Sequence, residues 1–357
     1  MPAMRAGNDR KLLEIRQALA LDWPTHRWAR ILATVAAKKP FCEFPEMIRL
    51  RRSIMLVLFL IIFFGPVVVR QLLPADSRQY DAVSLDELQY TEIAFKNTQQ
   101  QLELGGMLFV PPGDGPFPAA VIIHGSGTSR RDSAWYLTLT NHLQQNGVVV
   151  LLPDKRGSEK SEGDWRTSSF EDLATDTLAA IEFLNTQQGI PLLSVGIVGM
   201  SQGGWIAPIA ASASSDVDFV VSMVGSAVTP AEQLIYEENH NLRQMGFLPG
   251  ISNAVALAST AYIRNVAQAE FWDRVANYDP VPYWQEVNVP ALALYGADDT
   301  NVPSEESARR LHALGKPNLR IEIYEGSGHA LQDPLGRGNS LIREEALDAI
   351  TSTIKLN

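Results

Sequence analysis

A single cysteine, Cys42, stands in 357 residues. One thiol closes no disulfide within the chain and cannot form the cysteine cluster of a structural zinc site. Basic charge is also short, with 30 Lys and Arg against 40 Asp and Glu. The deficit is uneven: residues 1–70 carry 12 basic against 5 acidic side chains, and residues 71–357 carry 18 against 35. A body with a balance of −17 repels a phosphate backbone, which excludes nucleic acid as a partner. Low-complexity tracts are missing too. With 46% hydrophobic residues the chain has ample material for a core, so global disorder is excluded.

One long apolar run is present. Ile54–Val69 reads IMLVLFLIIFFGPVVV, sixteen residues without a charge. As a helix it spans roughly 24 Å, enough for a bilayer core if Ser53 and Arg70 snorkel at its ends. Arg49, Arg51 and Arg52 precede it, so the positive-inside bias puts the N-terminus in the cytoplasm. Residues 47–73 are thus expected to anchor the chain in the membrane, with the rest extracytoplasmic, periplasmic in a bacterium. A cleaved signal peptide would want small residues before the cut, and Leu73-Pro74-Ala75 serves poorly. A core helix would show a polar face. Met47 reads as a plausible start, leaving residues 1–46 as a gene-model extension or a short cytoplasmic tail, and 74–89 as a linker.

Beyond the linker the pattern changes. Tyr90–Phe95 and Gln101–Val110 read as a hairpin turning near Asn97-Thr98-Gln99. Short apolar runs without alternation then recur at Ala119–Ile123, Val148–Leu152, Val195–Met200, Phe219–Val224, Ala291–Tyr295 and Arg320–Tyr324. Strands buried on both faces look like this. Helical periods separate them, over Trp135–Gln145, Phe170–Leu184 after Ser169 as N-cap, Gly203–Ala211, Ser304–Leu314 and Leu341–Ile354. The expected fold is α/β, a mostly parallel sheet flanked by helices. Between Gly225 and Pro290 only helix-compatible sequence is found, and about 228–288 is expected to form a helical cap. Plain extra helices packed on the sheet are the alternative.

Gly199-Met200-Ser201-Gln202-Gly203-Gly204 follows one apolar run directly and precedes a helix. This is the G-x-S-x-G elbow in the strand–turn–helix context it requires. A turn that lifts Ser201 above the sheet crowds its flanks, so they must be glycine. The Gln202 N–H is then placed to bind an oxyanion at a helix N-terminus. A serine nucleophile needs a base and an acid that orients it. Of six histidines, His329 alone sits in a Gly-Ser loop just after the last strand. For the acid, Asp298 and Asp299 both follow the strand Ala291–Tyr295; Asp299 is preferred. A second oxyanion amide is expected from Ser126, or else Gly125, in His124-Gly125-Ser126-Gly127, with His124 bracing the loop.

With these residues in place, the chain from Tyr90 onward resembles an α/β-hydrolase of the serine-esterase and serine-aminopeptidase-like group, related to dienelactone hydrolases. Leu104-Gly105-Gly106, His124–Gly127, Asp154-Lys155-Arg156-Gly157, the elbow, Gly296–Pro303 and Gly328-His329 carry the likeness in order. Relatives commonly show Arg-Gly-x-Gly-x-Ser; here Glu159 stands at the second glycine. The resemblance implies acyl transfer through an acyl-enzyme, with a small acyl ester or short peptide as substrate and no metal or cofactor. Aminopeptidase and acyl thioesterase activities are alternatives, the former with Glu237 or Glu238 clamping a substrate amine. A non-catalytic binding module is a remote one.

Overall fold

The computed structural model describes residues 45–72, 80, 83–333 and 340–356. The chain divides into two compact units, Met1–Ile62 and Phe63–Asn357. Most of the expected tail and linker, including Leu73-Pro74-Ala75, lies outside the described residues. Helix α1, Pro45–Leu72, contains the apolar run. Its side chains from Ile54 to Ile61 are 44–67% exposed. Among the described residues no helix is long and apolar enough to cross a membrane.

The second unit is built on one eight-stranded sheet. In chain order its strands are β1 (Thr91–Asn97), β2 (Leu102–Phe109), β3 (Phe117–Ile123), β4 (Val149–Pro153), β5 (Leu192–Met200), β6 (Val220–Met223), β7 (Ala291–Gly296) and β8 (Leu319–Tyr324). They lie in the order β1-β2-β4-β3-β5-β6-β7-β8. The first two form the expected hairpin, antiparallel to each other and to β4, and every later pairing is parallel.

The unbroken apolar runs have a direct cause. Val121 and Ile197 face one core together with Phe170, Ile181, Trp205 and Ile206. Their neighbours Ile122 and Val198 face a second core with Leu139, Leu143, Leu347 and Ile350. Successive side chains of a strand point to opposite faces, so a sheet covered on both sides must be apolar at every position. Helices α2 (Ala134–Gln145) and α10 (Glu344–Lys355) cover the second face, and α3 (Phe170–Asn185), α4 (Gly203–Ala213) and α9 (Ser304–His312) the first. At the start of α3, Ser169 and Asp172 exchange side-chain and backbone hydrogen bonds in a full capping box.

Between β6 and β7 the chain forms α5 (Pro230–Gln244), α6 (Pro249–Tyr262), a π-turn at Ile263–Ala267, α7 (Ala269–Val275) and α8 (Val281–Glu286). The last helix begins three residues later than its sequence period suggests. The reason is that Arg343 spends its N–H on the Leu331 carbonyl (2.8 Å), which ties this stretch to the preceding loop instead of to a helical turn.

Candidate active site

The loops at the carboxyl ends of β3, β5, β7 and β8 meet above the sheet, where open α/β folds place their reactive groups. Ser201 follows β5 with φ of 53°, in the left-handed region that L-residues avoid. The surrounding glycines make that turn possible. A Cβ on Gly199 would lie 2.2 Å from the Gly203 carbonyl oxygen, and one on Gly203 would lie 2.4 Å from that of Ile123. The Ser201 N–H donates to Met223 at the end of β6 (2.9 Å), which pins the strained residue to the sheet.

Three side chains from three loops are brought together. His329 Nε2 is 3.0 Å from Ser201 Oγ, and its Nδ1 is 2.8 Å from Asp299 Oδ2. The Asp299 side chain is fully enclosed, and its other oxygen accepts from the amides of Asn301 (2.8 Å) and Val302 (3.0 Å). Those two backbone donors fix the carboxylate so that its other oxygen is aimed at the imidazole. In this arrangement Nδ1–H donates to Asp299, leaving Nε2 to accept the serine proton. Asp298 is exposed and directed away; its amide donates to Ser327 (2.9 Å).

The sequence suggests a mobile Gly-Ser loop for His329. It is in fact well held. Ser327 Oγ donates to the Gln332 carbonyl (2.7 Å), Arg343 donates to Ser327 Oγ (3.0 Å), Trp135 donates to the Ala330 carbonyl (3.3 Å), and Leu331 is wholly buried. The glycines serve close packing: a Cβ on Gly296 would stand 2.3 Å from the Ser327 carbonyl oxygen.

Facing Ser201 is the β3 loop. The Gly125 N–H donates to the Tyr136 hydroxyl (2.7 Å) and is therefore engaged, whereas among the described residues the Ser126 and Gln202 amides make no hydrogen bond. These two remain as the amides open to a substrate oxygen. His124 is buried below them, with Nε2–H donating to the Pro153 carbonyl (2.8 Å). Burial, with the nearby Lys155 charge, depresses its pKa to about 4. It therefore stays neutral and braces the loop.

The Asp154-Lys155-Arg156-Gly157 segment after β4 supplies neighbours that sequence alone leaves without roles. Asp154 takes a two-pronged contact from Arg131 (2.7 and 2.9 Å), and Gly105 lacks a side chain because a Cβ would meet that carboxylate at 2.7 Å. Arg156 is buried and grips Asp176 of α3 through two bonds (2.7 and 2.8 Å). Lys155 points inward to Gly125 and Gln202. The signal in the sequence is positional: these residues follow a strand that lies beside the one ending in the oxyanion loop. Tyr136, Tyr236 and Trp135 carry no local signal. Glu159 has φ of 48°, so the loop keeps the left-handed turn that glycine would favour.

Over the site lies α5 of the inserted helices. The Tyr236 hydroxyl donates to the Asp299 carbonyl (2.8 Å), and Asn301 donates to Glu237 (3.4 Å). Burial raises the pKa of the Glu237 carboxyl against the opposing pull of His329. Among the described residues no group of three or more His, Cys, Asp or Glu is arranged to hold a metal ion.

A serine on a strand–helix elbow, at the carboxyl edge of this sheet, with an acid after β7 and a histidine after β8, defines an α/β-hydrolase. The comparisons with known proteins support that superfamily. The family model described as BAAT / Acyl-CoA thioester hydrolase C terminal matches residues 178–336, a span that holds Ser201, Asp299 and His329. The chain is 23% identical over 242 residues to Esterase EstD of Thermotoga maritima, covering 64% of this chain and 58% of that protein. It is 24% identical over 238 residues to the peroxisomal succinyl-coenzyme A thioesterase of Mus musculus, covering 64% and 52%. It thus spans little more than half the length of these relatives. The solved structure of a Pyrococcus furiosus esterase matches with a TM-score of 0.55 at 17% identity, over 78% of this chain and 98% of that one, a likeness of fold.

Proposed function

We propose that this protein is a serine hydrolase that cleaves carboxylic esters through an acyl-enzyme. The carrying observation is the continuous chain Ser201 Oγ–His329–Asp299, with contacts of 3.0 and 2.8 Å. In the first step Ser201 attacks the ester carbonyl while His329 Nε2 takes its proton, and Asp299 stabilises the imidazolium. The amides of Ser126 and Gln202 receive the developing oxyanion. His329 then protonates the departing alcohol. Water, deprotonated by His329, attacks the acyl-enzyme and frees Ser201. This chemistry calls for no metal or cofactor.

A fluorophosphonate probe should label the wild type and leave Ser201→Ala unmarked; labelling elsewhere overturns the assignment. A second reading, acyl-coenzyme A thioesterase, is favoured by the matching family description and by the succinyl-coenzyme A thioesterase among the relatives. Turnover of p-nitrophenyl acyl esters, acyl-coenzyme A thioesters and amino-acid anilides should be compared at equal labelled sites. Dominant thioester turnover moves the assignment to the second reading, and anilide-only turnover sinks both.

The inserted helices α5–α8 act in this reading as a cap over the acyl site. Residues 47–73 serve as a membrane anchor and 90–357 as an extracytoplasmic catalytic domain. The uncharged run Ile54–Val69 and its preceding arginines support this. Protease added to intact spheroplasts should digest the catalytic domain; full protection contradicts the topology. N-terminal sequencing should begin at Met47, and a peptide from residues 11–40 would refute that start.

A further inference from the structure

We propose that Lys155 is a positioning residue that aligns and polarises the two chain segments presenting the oxyanion amides. The inference rests on the serine-hydrolase reading above. Lys155 Nζ donates to the Gly125 carbonyl (2.8 Å) and to Gln202 Oε1 (2.6 Å). The first contact matters through the peptide bond. The Gly125 carbonyl and the Ser126 N–H belong to one planar unit and point in opposite directions. A donor fixed on the carbonyl therefore sets where the Ser126 N–H points. A donor in that place also draws electron density from the N–H, most strongly while the amine is protonated, which makes that N–H a stronger donor to a negative oxygen.

Gly125 would otherwise be among the freest residues of the loop, since glycine tolerates either peptide orientation. It is held on both sides, its N–H by the Tyr136 hydroxyl (2.7 Å) and its carbonyl by Lys155. The same ammonium reaches the side chain of Gln202, whose own amide is the other oxyanion donor. One atom thereby ties together two amides that must meet a tetrahedral oxygen at about 2.7–3.1 Å.

The surroundings raise the leverage of this contact. Lys155 is 8% exposed, and the Trp165 ring lies 4.9 Å from Nζ. The charged and titratable groups around it include His124, just after β3, and its chain neighbours Asp154 and Arg156. His124 is neutral, Asp154 is taken by Arg131, and Arg156 by Asp176. Among the described residues Lys155 forms no ion pair. Burying an unpaired ammonium is destabilising, and an apolar side chain of the same length would pack without that penalty. A role at the oxyanion site accounts for a lysine here.

The test uses the full-length protein, with every rate normalised to sites titrated by fluorophosphonate. Lys155→Met should lower kcat for a p-nitrophenyl ester by about 100-fold with KM little changed. It should weaken inhibition by an aryl trifluoromethyl ketone, which forms an oxyanion on Ser201, by a similar factor. Binding of the matching methyl ketone, which stays a ground-state ligand, should hardly move. Lys155→Gln restores a neutral donor and should recover part of the loss; it also carries the comparison should the methionine variant not fold. Retention of kcat and of trifluoromethyl ketone affinity within about twofold overturns the proposal. So does equal loss of both ketones, which signals a collapsed pocket. A wild type that neither labels nor turns over esters instead defeats the hydrolase reading, a distinguishable result.

Discussion

At the scale of single residues, the site combines one strained serine with an acid held by two backbone amides. Because Asp299 Oδ1 is filled by two backbone amides, Asp299→Asn keeps the loop shape yet presents an amide to the imidazole. The imidazole then adopts the wrong tautomer, and kcat should fall by about 10⁴ with little change in thermal stability; stopped-flow ester hydrolysis checks this. Glu159 is the opposite case, strain without a visible catalytic return. Glu159→Gly relieves a left-handed residue at φ of 48° and should raise stability by up to about 1 kcal/mol in urea unfolding. Lys155 makes stability depend on pH. Burial lowers its pKa from 10.5 to about 7, so between those values the unfolded chain holds a proton that the native chain has released. Unfolding then takes up a proton, and stability from this group rises with pH across that window. The urea midpoint of Lys155→Met should lack that rise and should lie above the wild type near pH 6.

At the scale of elements, the order of strands, the elbow and the two following loops are legible in the sequence because each depends on local pattern. Double-sided burial writes itself as apolar runs such as Val195–Val198, and steric crowding writes itself as Gly199 and Gly203. What is hidden depends on partners far away in the chain. The firmness of the His329 loop comes from Trp135 and Arg343, and the task of Arg156 is visible only once α3 is docked with Asp176. That the Gly125 amide is already engaged is seen only with Tyr136 in view. Arg156→Ala would leave the largely buried Asp176 carboxylate with the Asn97 amide in place of its cation, and should cost up to about 3 kcal/mol in chemical denaturation. The elbow helix is equally dependent on contact. A methyl on Gly203 collides with the Ile123 carbonyl, so Gly203→Ala should abolish fluorophosphonate labelling even in protein that remains folded by circular dichroism.

For the molecule as a whole, charge and hydropathy divide along the chain more sharply than the fold does. The acidic, compact unit from Phe63 onward holds every residue of the candidate site, while the exposed apolar side chains from Ile54 to Ile61 belong to the other unit. The body's chemistry is thus self-contained. How the apolar run Ile54–Val69 is used is a separate matter, decided by fractionation of cells against a variant that lacks it. Tyr236 and Glu237 of α5 join the scales. Tyr236 is bonded to the backbone of the very residue that steers the imidazole, and Glu237 meets the loop that follows it. Any displacement of that helix would pull on the Asp299 backbone, so the seating of the imidazole and the packing of the inserted helices hang on one hinge pin.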